Sequence, residues 1–196
     1  MAKLESFDPD KVFFTADLHF GHEKILEFTN RPCRNLDEMT DLLMDNWNSK
    51  ISNDSTTFIL GDVYFGKEIR GLEGIIRNLN GVKYLIKGNH DYFYNDQFRK
   101  IGFYRVLDYQ EILVDKQMIV LSHYPMVTWN RVHRGSWMFH GHVHGTYGFM
   151  VNERKRLHEI NEFIGTKTMD VGIDSEYCSD FSPFSYRQIE EIMKNL

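Results

Sequence analysis

Short apolar runs recur along the chain and are separated by more polar segments. The runs are rich in β-branched and aromatic residues and are closed by turn formers, a pattern typical of short buried strands. They lie at 12–18, 56–63, 82–89, 111–123, 137–145 and 168–174. The fourth run is long enough for two strands, and we predict a hairpin that turns at Asp115 and Lys116.

Three other segments show helical periodicity. Their apolar positions are Leu36, Met39, Leu43 and Trp47, then Ile69, Leu72, Ile75, Ile76 and Leu79, and finally Ile189, Ile192 and Met193. Asn35 and Glu38 have the spacing of an N-terminal capping pair, and Ser185 precedes the last segment with the same spacing to Gln188. Strands that alternate with helices, followed by a strand-rich second half, predict an α/β (α+β) fold with sheets layered against helices.

Length and composition fit one domain. A chain of 196 residues of which 42% are hydrophobic can bury a sizeable core. No repeat and no linker rich in Pro, Gly or Ser divides the chain, so we predict a single domain over 1–196. The polar segment 151–167 is the least patterned, and we predict a loop or a short amphipathic excursion there.

Charge and cysteine content narrow the choice of partner and compartment. The formal net charge is −5 and the basic residues form no long block, so stable nucleic-acid binding is not indicated, which does not exclude a nucleotide substrate. Cys33 and Cys178 are far apart and form no CxxC motif, which fits a reducing cytoplasm. Since the N-terminus carries early charges and no long apolar window is present, we expect a soluble, cytoplasmic protein that does not enter a membrane.

The ends of the predicted strands carry the residues that could perform chemistry. Five runs lead into ADLH, GDV, GNHD, SHYP and GHVHG. These motifs supply Asp17, His19, Asp62, Asn89, His123, His142 and His144. Each motif alone has an ordinary explanation, such as a turn residue or a packed histidine. Because open α/β sheets bind ligands at the ends of their strands, the five motifs together predict one shared site.

The donor types indicate a site for two divalent metal ions. Asp17 and His19 are two residues apart, so on a continuing strand they would face the same way and could bind one ion. Carboxylate, imidazole and amide donors without thiolate suit manganese, our first choice, or iron, nickel or zinc better than calcium. An aspartate can bridge two such ions, and a bridging water or hydroxide then serves as the nucleophile that hydrolyses a phosphate ester.

The order of the five motifs resembles that of the calcineurin-like metallophosphoesterases. The similarity spans 17–144, and VGID at 171–174 is similar to the closing strand of that family. The sequence around the first two motifs looks like that of the small stand-alone phosphoesterases of bacteria and their phages. The resemblance implies a four-layer sandwich of two mixed β-sheets flanked by helices.

The resemblance also implies a role for each site residue. Asp17, His19 and His144 would hold the first metal, Asp62 would bridge, and Asn89, His123 and His142 would hold the second. His90 would be the catalytic residue, donating a proton to the leaving oxygen or a hydrogen bond to a phosphate oxygen, because an imidazole titrates near working pH. Asp91 would support the site from behind or cap a helix.

One departure from the superfamily pattern points away from phosphoprotein phosphatases. Where those enzymes have GDxxDRG, this chain has GDVYFGK, with Phe65 in place of the aspartate that orients the catalytic histidine and Gly66 in place of the phosphate-binding arginine. We therefore predict a phosphodiesterase acting on nucleotides or other small phosphodiesters. The alternatives are a phosphomonoesterase or a nuclease with the same site and, from another class, a scaffold without catalysis, which the complete set of site residues disfavours.

Substrate binding has further candidates. His22 follows the first ligands closely, Arg31 and Arg34 supply positive charge, and Asn89 could contact substrate as well as metal. The alternative interpretation of His22 is a histidine at a helix N-terminus, and that of the two arginines is a solvated loop. His140 lies two residues before His142, but the resemblance gives it no ligand role, so we interpret it as structural. The pattern carries no signal for an oligomeric state.

Overall fold

The computed structural model describes residues 4–145, 165 and 167–195. Nearly all of the predicted excursion at 151–167 therefore lies outside the described residues. No helix within the described ranges has the length and apolar character needed to cross a membrane. The assignment of 1–196 to a single domain stays a prediction.

Two five-stranded mixed sheets form the framework of the described part of the chain. In spatial order, the first sheet consists of β10 (Phe184–Ser185), β2 (Val12–Thr15), β3 (Thr56–Ile59), β4 (Val82–Ile86) and β5 (Phe103–Leu107). Strand β10 is antiparallel to β2, and the other neighbours are parallel. The parallel strands of this sheet therefore end along the same edge.

The second sheet contains the predicted hairpin. In spatial order, its strands are β1 (Glu5–Phe7), β6 (Gln110–Val114), β7 (Gln117–Leu121), β8 (Trp137–His140) and β9 (Lys167–Asp170). The antiparallel pair β6 and β7 turns at Asp115 and Lys116, which have φ values of 47° and 67°. A type I′ hairpin turn needs positive φ at both of its central residues, as found here. The predicted position of the turn is confirmed.

The helices lie between and after these strands. They are α1 (Ile25–Phe28), α2 (Leu36–Lys50), α3 (Arg70–Asn78), α4 (Asn95–Ile101) and α5 (Tyr186–Lys194), with a short 3-10 helix at Val132–Arg134. The three segments with helical periodicity correspond to α2, α3 and α5. Asn35 Oδ1 accepts a hydrogen bond from the N–H of Glu38, while the Glu38 carboxylate accepts from the N–H of Arg34. Ser185 and Gln188 form the expected reciprocal cap of α5.

Two apolar cores hold these layers together. Between the sheets, Phe14 stacks on Phe58 at a ring distance of 5.7 Å and meets Phe139 edge-on at 5.0 Å. The buried residues of α2, α3 and α4, among them Trp47 and Phe98, pack on the other face of the first sheet. This arrangement of two mixed sheets with helices confirms the predicted fold class.

The outer face of the second sheet is covered differently in the described part of the chain. Trp129 packs there against Met118, Val120 and Met138. The indole N–H of Trp129 donates to the carbonyl and the hydroxyl of Ser136, which fixes the connection that leads into β8. Among the described residues, the layer nearest to this face is thus a connecting segment with the 3-10 helix.

Candidate metal centre

The predicted site residues lie in turns just beyond the strands rather than on them. Strand β2 ends at Thr15 and β8 at His140. The backbone is left-handed at Asp17, His19, Asp62, His142 and His144, with φ between 50° and 73°. Asp17 and His19 therefore do not lie on a continuing strand, although their ligand atoms still lie within 4.8 Å of each other. Left-handed backbone at residues other than glycine costs energy and tends to occur where function requires it.

These turns bring the site residues into two groups. The first group consists of Asp17, His19 and His144, and the second of Asp62, His123 and His142. In each group the nitrogen and oxygen ligand atoms lie within 4.8 Å of one another. Asn89 joins the second group, since its Oδ1 is 2.9 Å from His123 Nε2. The structure thus assembles all seven side chains for which the sequence indicated metal binding.

Asp62 lies between the two groups. Its Oδ2 is 3.6 Å from Nε2 of His19 in the first group and 3.6 Å from Nε2 of His123 in the second. All three side chains are nearly completely buried. One carboxylate oxygen is therefore shared evenly by two clusters of imidazoles, which is the position that a bridging ligand requires.

The donor atoms of the first group fit a cation. Asp17 Oδ2 accepts a hydrogen bond from the N–H of His142 at 2.9 Å, whereas the buried Oδ1 has no hydrogen-bond partner among the residues that the structure describes. Nε2 of His19 is 3.2 Å from Nε2 of His144, so two ring nitrogens converge, and a carboxylate oxygen of Asp17 lies within 4.8 Å of this group of ligand atoms. An unpartnered buried carboxylate oxygen is costly, and a divalent ion would satisfy it together with both nitrogens.

Burial shapes the protonation of this group. Burial raises the pKa of Asp17 well above its ordinary value and, with the neighbouring His144, lowers the pKa of His19. Although burial opposes it, the carboxylates of Asp17 and Asp174 raise the pKa of His144 to about 9. Without an ion, the first group therefore holds protons that a metal would displace.

A buried ion-pair network supports the first group from behind. Asp174 Oδ2 is 2.9 Å from Nδ1 of His144, and Arg31 binds both oxygens of Asp174 at 2.9 and 2.7 Å. Arg31 also donates to the carbonyl oxygens of Asp17 and Leu18 at 2.7 and 2.8 Å. Despite burial, the bonds from His144 and Arg31 hold the pKa of Asp174 below its ordinary value. A carboxylate behind a ligating histidine fixes the orientation of its ring.

This network corrects the substrate role predicted for Arg31. Its side chain is 1% exposed and its guanidinium is engaged with Asp174 and with backbone oxygens, so it has no face left for a substrate. Arg34 is not brought to the site either, because its exposed guanidinium pairs with Glu38 at the start of α2. Both arginines stabilise the structure around the site instead of lining it.

Asp91 supports the second group. Its carboxylate accepts hydrogen bonds from the N–H groups of Asp62, Val63 and Gly88 at 2.8, 3.1 and 2.8 Å. Burial raises the pKa of Asp91 to about 7, against the lowering effect of the Gly88 hydrogen bond. The side chain joins the turn after β3 to the turn after β4, which agrees with the supporting position expected for it.

Two further histidines border the two groups. His90 donates its backbone N–H to Asp62 Oδ1 at 2.9 Å, and its ring Nε2 is 4.0 Å from Asp62 Oδ2. The ring of His22 lies 5.3 Å from that of His19 and stacks on Phe65 at 4.0 Å. Both rings are partly exposed, so each can meet a molecule that enters the site.

His140 takes no part in the two groups. It is buried at the end of β8, and its Nδ1 is 2.9 Å from the carbonyl oxygen of Gly141. The position agrees with the structural interpretation of this residue.

Relatives of the chain occur in phages and archaea. The gene 66 protein of Mycobacterium phage D29 is 32% identical over 159 residues, which cover 68% of this chain and 78% of that protein. The chain belongs to the gene 66 protein family. The uncharacterized protein MJ1445 of Methanocaldococcus jannaschii is 29% identical over 168 residues, which cover 83% of the chain and 88% of that protein. No protein-family model matches.

One solved structure supports the fold of this gene 66 family member. The protein of unknown function AQ665 from Aquifex aeolicus has a TM-score of 0.68 and 22% sequence identity, covering 92% of this chain and 98% of that one. YfcE, a phosphoesterase from E. coli, is a distant neighbour with a TM-score of 0.37, 16% identity and 84% coverage of this chain. The similarity to AQ665 supports the fold. The TM-score of the YfcE match is too low to assign an activity.

Sequence reasoning missed two aromatic residues at the site of this gene 66 family member. Tyr92 places its hydroxyl 2.6 Å from Nδ1 of His90, and the ring of Tyr124 lies 4.7 Å from that of His142. Both tyrosines are exposed; Tyr92 directly follows GNHD, and Tyr124 lies within SHYP, directly after its histidine. Adjacency to a motif was the available signal, but it does not show which way a side chain points.

Proposed function

We propose that this chain is a hydrolase of phosphate esters that works with two divalent metal ions. The proposed ligands are Asp17, His19 and His144 for one ion, Asn89, His123 and His142 for the other, and Asp62 as the bridge. The observation that carries the proposal is the position of Asp62 Oδ2, 3.6 Å from a histidine nitrogen of each group. The order of the motifs, which resembles that of the calcineurin-like metallophosphoesterases, supports the same activity.

The donor set and the bordering residues give each participant a task. Divalent ions held here would lower the pKa of a water molecule and neutralise the charge that develops on the phosphoryl oxygens. Manganese is the proposed metal, with iron, nickel or zinc as alternatives, because the donors are carboxylates, imidazoles and an amide. His90 directs Nε2 towards the side of Asp62 that faces both groups, and we assign it proton donation to the leaving oxygen.

A phosphodiester suits this site better than a monoester. A monoester dianion carries more charge than a diester, and the arginines nearest to the motifs, Arg31 and Arg34, are engaged with carboxylates. The partly exposed ring of Phe65 and the exposed ring of Tyr124 border opposite groups of the site and offer apolar surface to a base. We therefore propose nucleotides or other small phosphodiesters as substrates, and the cytoplasm as the compartment.

The test is hydrolysis by purified, manganese-loaded protein. We expect cleavage of bis(p-nitrophenyl) phosphate and of small nucleotide diesters, with slower cleavage of p-nitrophenyl phosphate. Asp62→Asn should abolish the activity. Glu73→Gln, which also replaces a carboxylate by an amide but on the partly exposed side of α3, should not alter it. Cleavage of the monoester alone would reject the phosphodiesterase, and cleavage of none of these esters would reject the phosphoesterase.

A further inference from the structure

Among the described residues, the ring of His90 has one polar contact outside the metal-binding groups. Tyr92 Oη lies 2.6 Å from Nδ1 of His90, a short distance for a hydrogen bond between a hydroxyl and a ring nitrogen. The other ring nitrogen, Nε2, is 4.0 Å from Asp62 Oδ2. The two nitrogens thus point to different places, Nδ1 to the tyrosine and Nε2 into the site.

Two other rings meet the ring of His90, and neither can replace this contact. Phe65 meets the ring edge-on at a centroid distance of 5.0 Å, and His19 does so at 5.5 Å. Phe65 has no polar side-chain atom, and the Nε2 of His19 faces Asp62 and His144. These rings limit where the imidazole can lie but do not determine whether Nε2 or Cε1 faces the site, because a 180° turn about Cβ–Cγ exchanges each nitrogen with a carbon and leaves the ring shape nearly unchanged.

Core packing does not account for the tyrosine. Its side chain is 63% exposed, so burial of the ring contributes little to the stability of the fold. Tyr94, two residues further on, is 81% exposed and lines the same surface groove beside α4. Tyr92 is the one of the two whose hydroxyl meets a histidine of the site.

We propose that Tyr92 is a positioning residue, whose hydroxyl holds the ring of His90 with Nε2 directed at the reacting phosphate. This inference rests on the proposed function. As the bond between phosphorus and the leaving oxygen breaks, the proton on Nε2 passes to that oxygen, and Nδ1 keeps its proton in a hydrogen bond to Oη. Because Nδ1 keeps its proton, the hydroxyl oxygen accepts the same hydrogen bond before and after the transfer. Solvent water then returns a proton to Nε2.

The kinetic test compares Tyr92→Phe with the matched control Tyr94→Phe. Two substrates are used that differ only in the leaving group, the p-nitrophenyl ester and the ethyl ester of a nucleoside 5′-phosphate. Nitrophenolate leaves without a proton, whereas ethanol needs one. With manganese bound, we expect Tyr92→Phe to lower kcat for the ethyl ester roughly tenfold, part of the contribution of a general acid, with KM unchanged. Activity on the p-nitrophenyl ester, and both activities of Tyr94→Phe, should stay near the wild-type values.

A second readout needs neither metal nor turnover. The ring ¹⁵N chemical shifts of His90 in the metal-free protein, assigned by their loss in His90→Gln, report the hydrogen bond at Nδ1. We expect them to change in Tyr92→Phe and to stay unchanged in Tyr94→Phe. Identical His90 shifts in Tyr92→Phe and the wild type would overturn the proposal.

The kinetic outcomes separate this proposal from the proposed function. An equal loss of kcat on both esters would show a general disturbance of the site and reject the positioning role, as would no loss at all. If the wild type cleaves neither ester, the proposed function is wrong, and Tyr92 then has no positioning role in that reaction. The ¹⁵N shifts would still decide whether the hydrogen bond exists.

Discussion

The backbone N–H and the two carboxylate oxygens of Asp62 contact different partners. Oδ2 faces His19 and His123, Oδ1 accepts the backbone N–H of His90, and the N–H of Asp62 itself is bound by Asp91. The side chain is 2% exposed, so each of these contacts is formed away from water. A single residue therefore couples both metal-binding groups to the proposed proton donor.

At the scale of single residues, replacing His90 should affect catalysis without affecting metal binding. His90→Ala should lower kcat for the ethyl ester of a nucleoside 5′-phosphate about 100-fold, because a general acid contributes at least that factor when the leaving group needs a proton, while metal content stays unchanged. Metal analysis and turnover of the same preparation check this. His133→Ala, which removes an exposed histidine in the 3-10 helix, serves as the control. Full turnover in His90→Ala would contradict the role of acid.

Metal binding should release protons from the first group. His144 has a pKa of about 9, so its ring is protonated at neutral pH, and a ligating imidazole must give up that proton. Metal affinity should therefore increase with pH until the pKa of His144 is passed. Titration calorimetry in two buffers of different ionisation enthalpy measures the number of protons released. The same number in His144→Asn as in the wild type would contradict this assignment.

At the scale of elements, glycines let the turns after neighbouring strands approach one another. Gly61 follows β3 with φ +88°, and a Cβ built on it would lie 2.7 Å from Gly88 Cα, in the turn after β4. A contact that short requires a shift of backbone. The close approach of these two turns places Asp62 beside Asn89 and His90.

A pair of glycine substitutions tests this packing. Gly61→Ala should destabilise the fold by about 2–5 kcal/mol, because left-handed backbone and overpacking both oppose a Cβ. Gly74→Ala should stabilise it by about 0.5–1 kcal/mol, since that glycine lies inside α3 with nothing within 4 Å of the added carbon. Urea unfolding of both variants gives these values. Equal stability of the two variants would contradict the packing described for the turns.

Periodicity was sufficient to predict the principal elements. Apolar runs located β2, β3, β4, β6, β7, β8 and β9, and helical spacing located α2, α3 and α5, because burial of one face determines these elements. The elements α1, α4, β1, β5 and β10 were not predicted, and of these α1 and β1 bury few residues and left no pattern. The ends of the strands were placed too late, since Asp17 and His142 adopt left-handed backbone that no alternation pattern reveals.

The sequence predicted the side chains that could bind metal directly. It did not predict the roles of the side chains that hold those residues or His90 in place. Asp174 reaches His144 across 30 positions of sequence, and Arg31 reaches Asp174 across 143. Such contacts depend on how the sheets pack, so the sequence could not distinguish a substrate-binding arginine from a buried one. The same limit applies to Tyr92, whose direction is set by the turn after β4.

At the scale of the whole molecule, the candidate site lies where the two sheets meet. Asp17, Asp62 and Asn89 follow strands of the first sheet, whereas His123 and His142 follow strands of the second. Gly141 permits this contact, because a Cβ there would lie 2.5 Å from Cβ of Ala16 and 2.7 Å from Oδ2 of Asp17. Ions bound at this junction would link the two sheets.

Metal should therefore stabilise the whole fold. At an ion concentration 100 times the Kd, binding to the folded state alone adds about 2.7 kcal/mol. We expect Tm to increase with manganese and to return to its lower value with a chelator. Asp62→Asn should lose most of this increase and Glu73→Gln should keep it. A Tm that does not respond to manganese would contradict a site built from both sheets.

The most direct test of the central claim is an anomalous difference map from a crystal of the manganese-loaded protein. We expect two peaks, one on each side of Asp62 Oδ2, roughly 3.5–4 Å apart. One peak should contact Asp17, His19 and His144, and the other His123 and His142. A single peak, or peaks that do not share Asp62, would contradict the two-ion site.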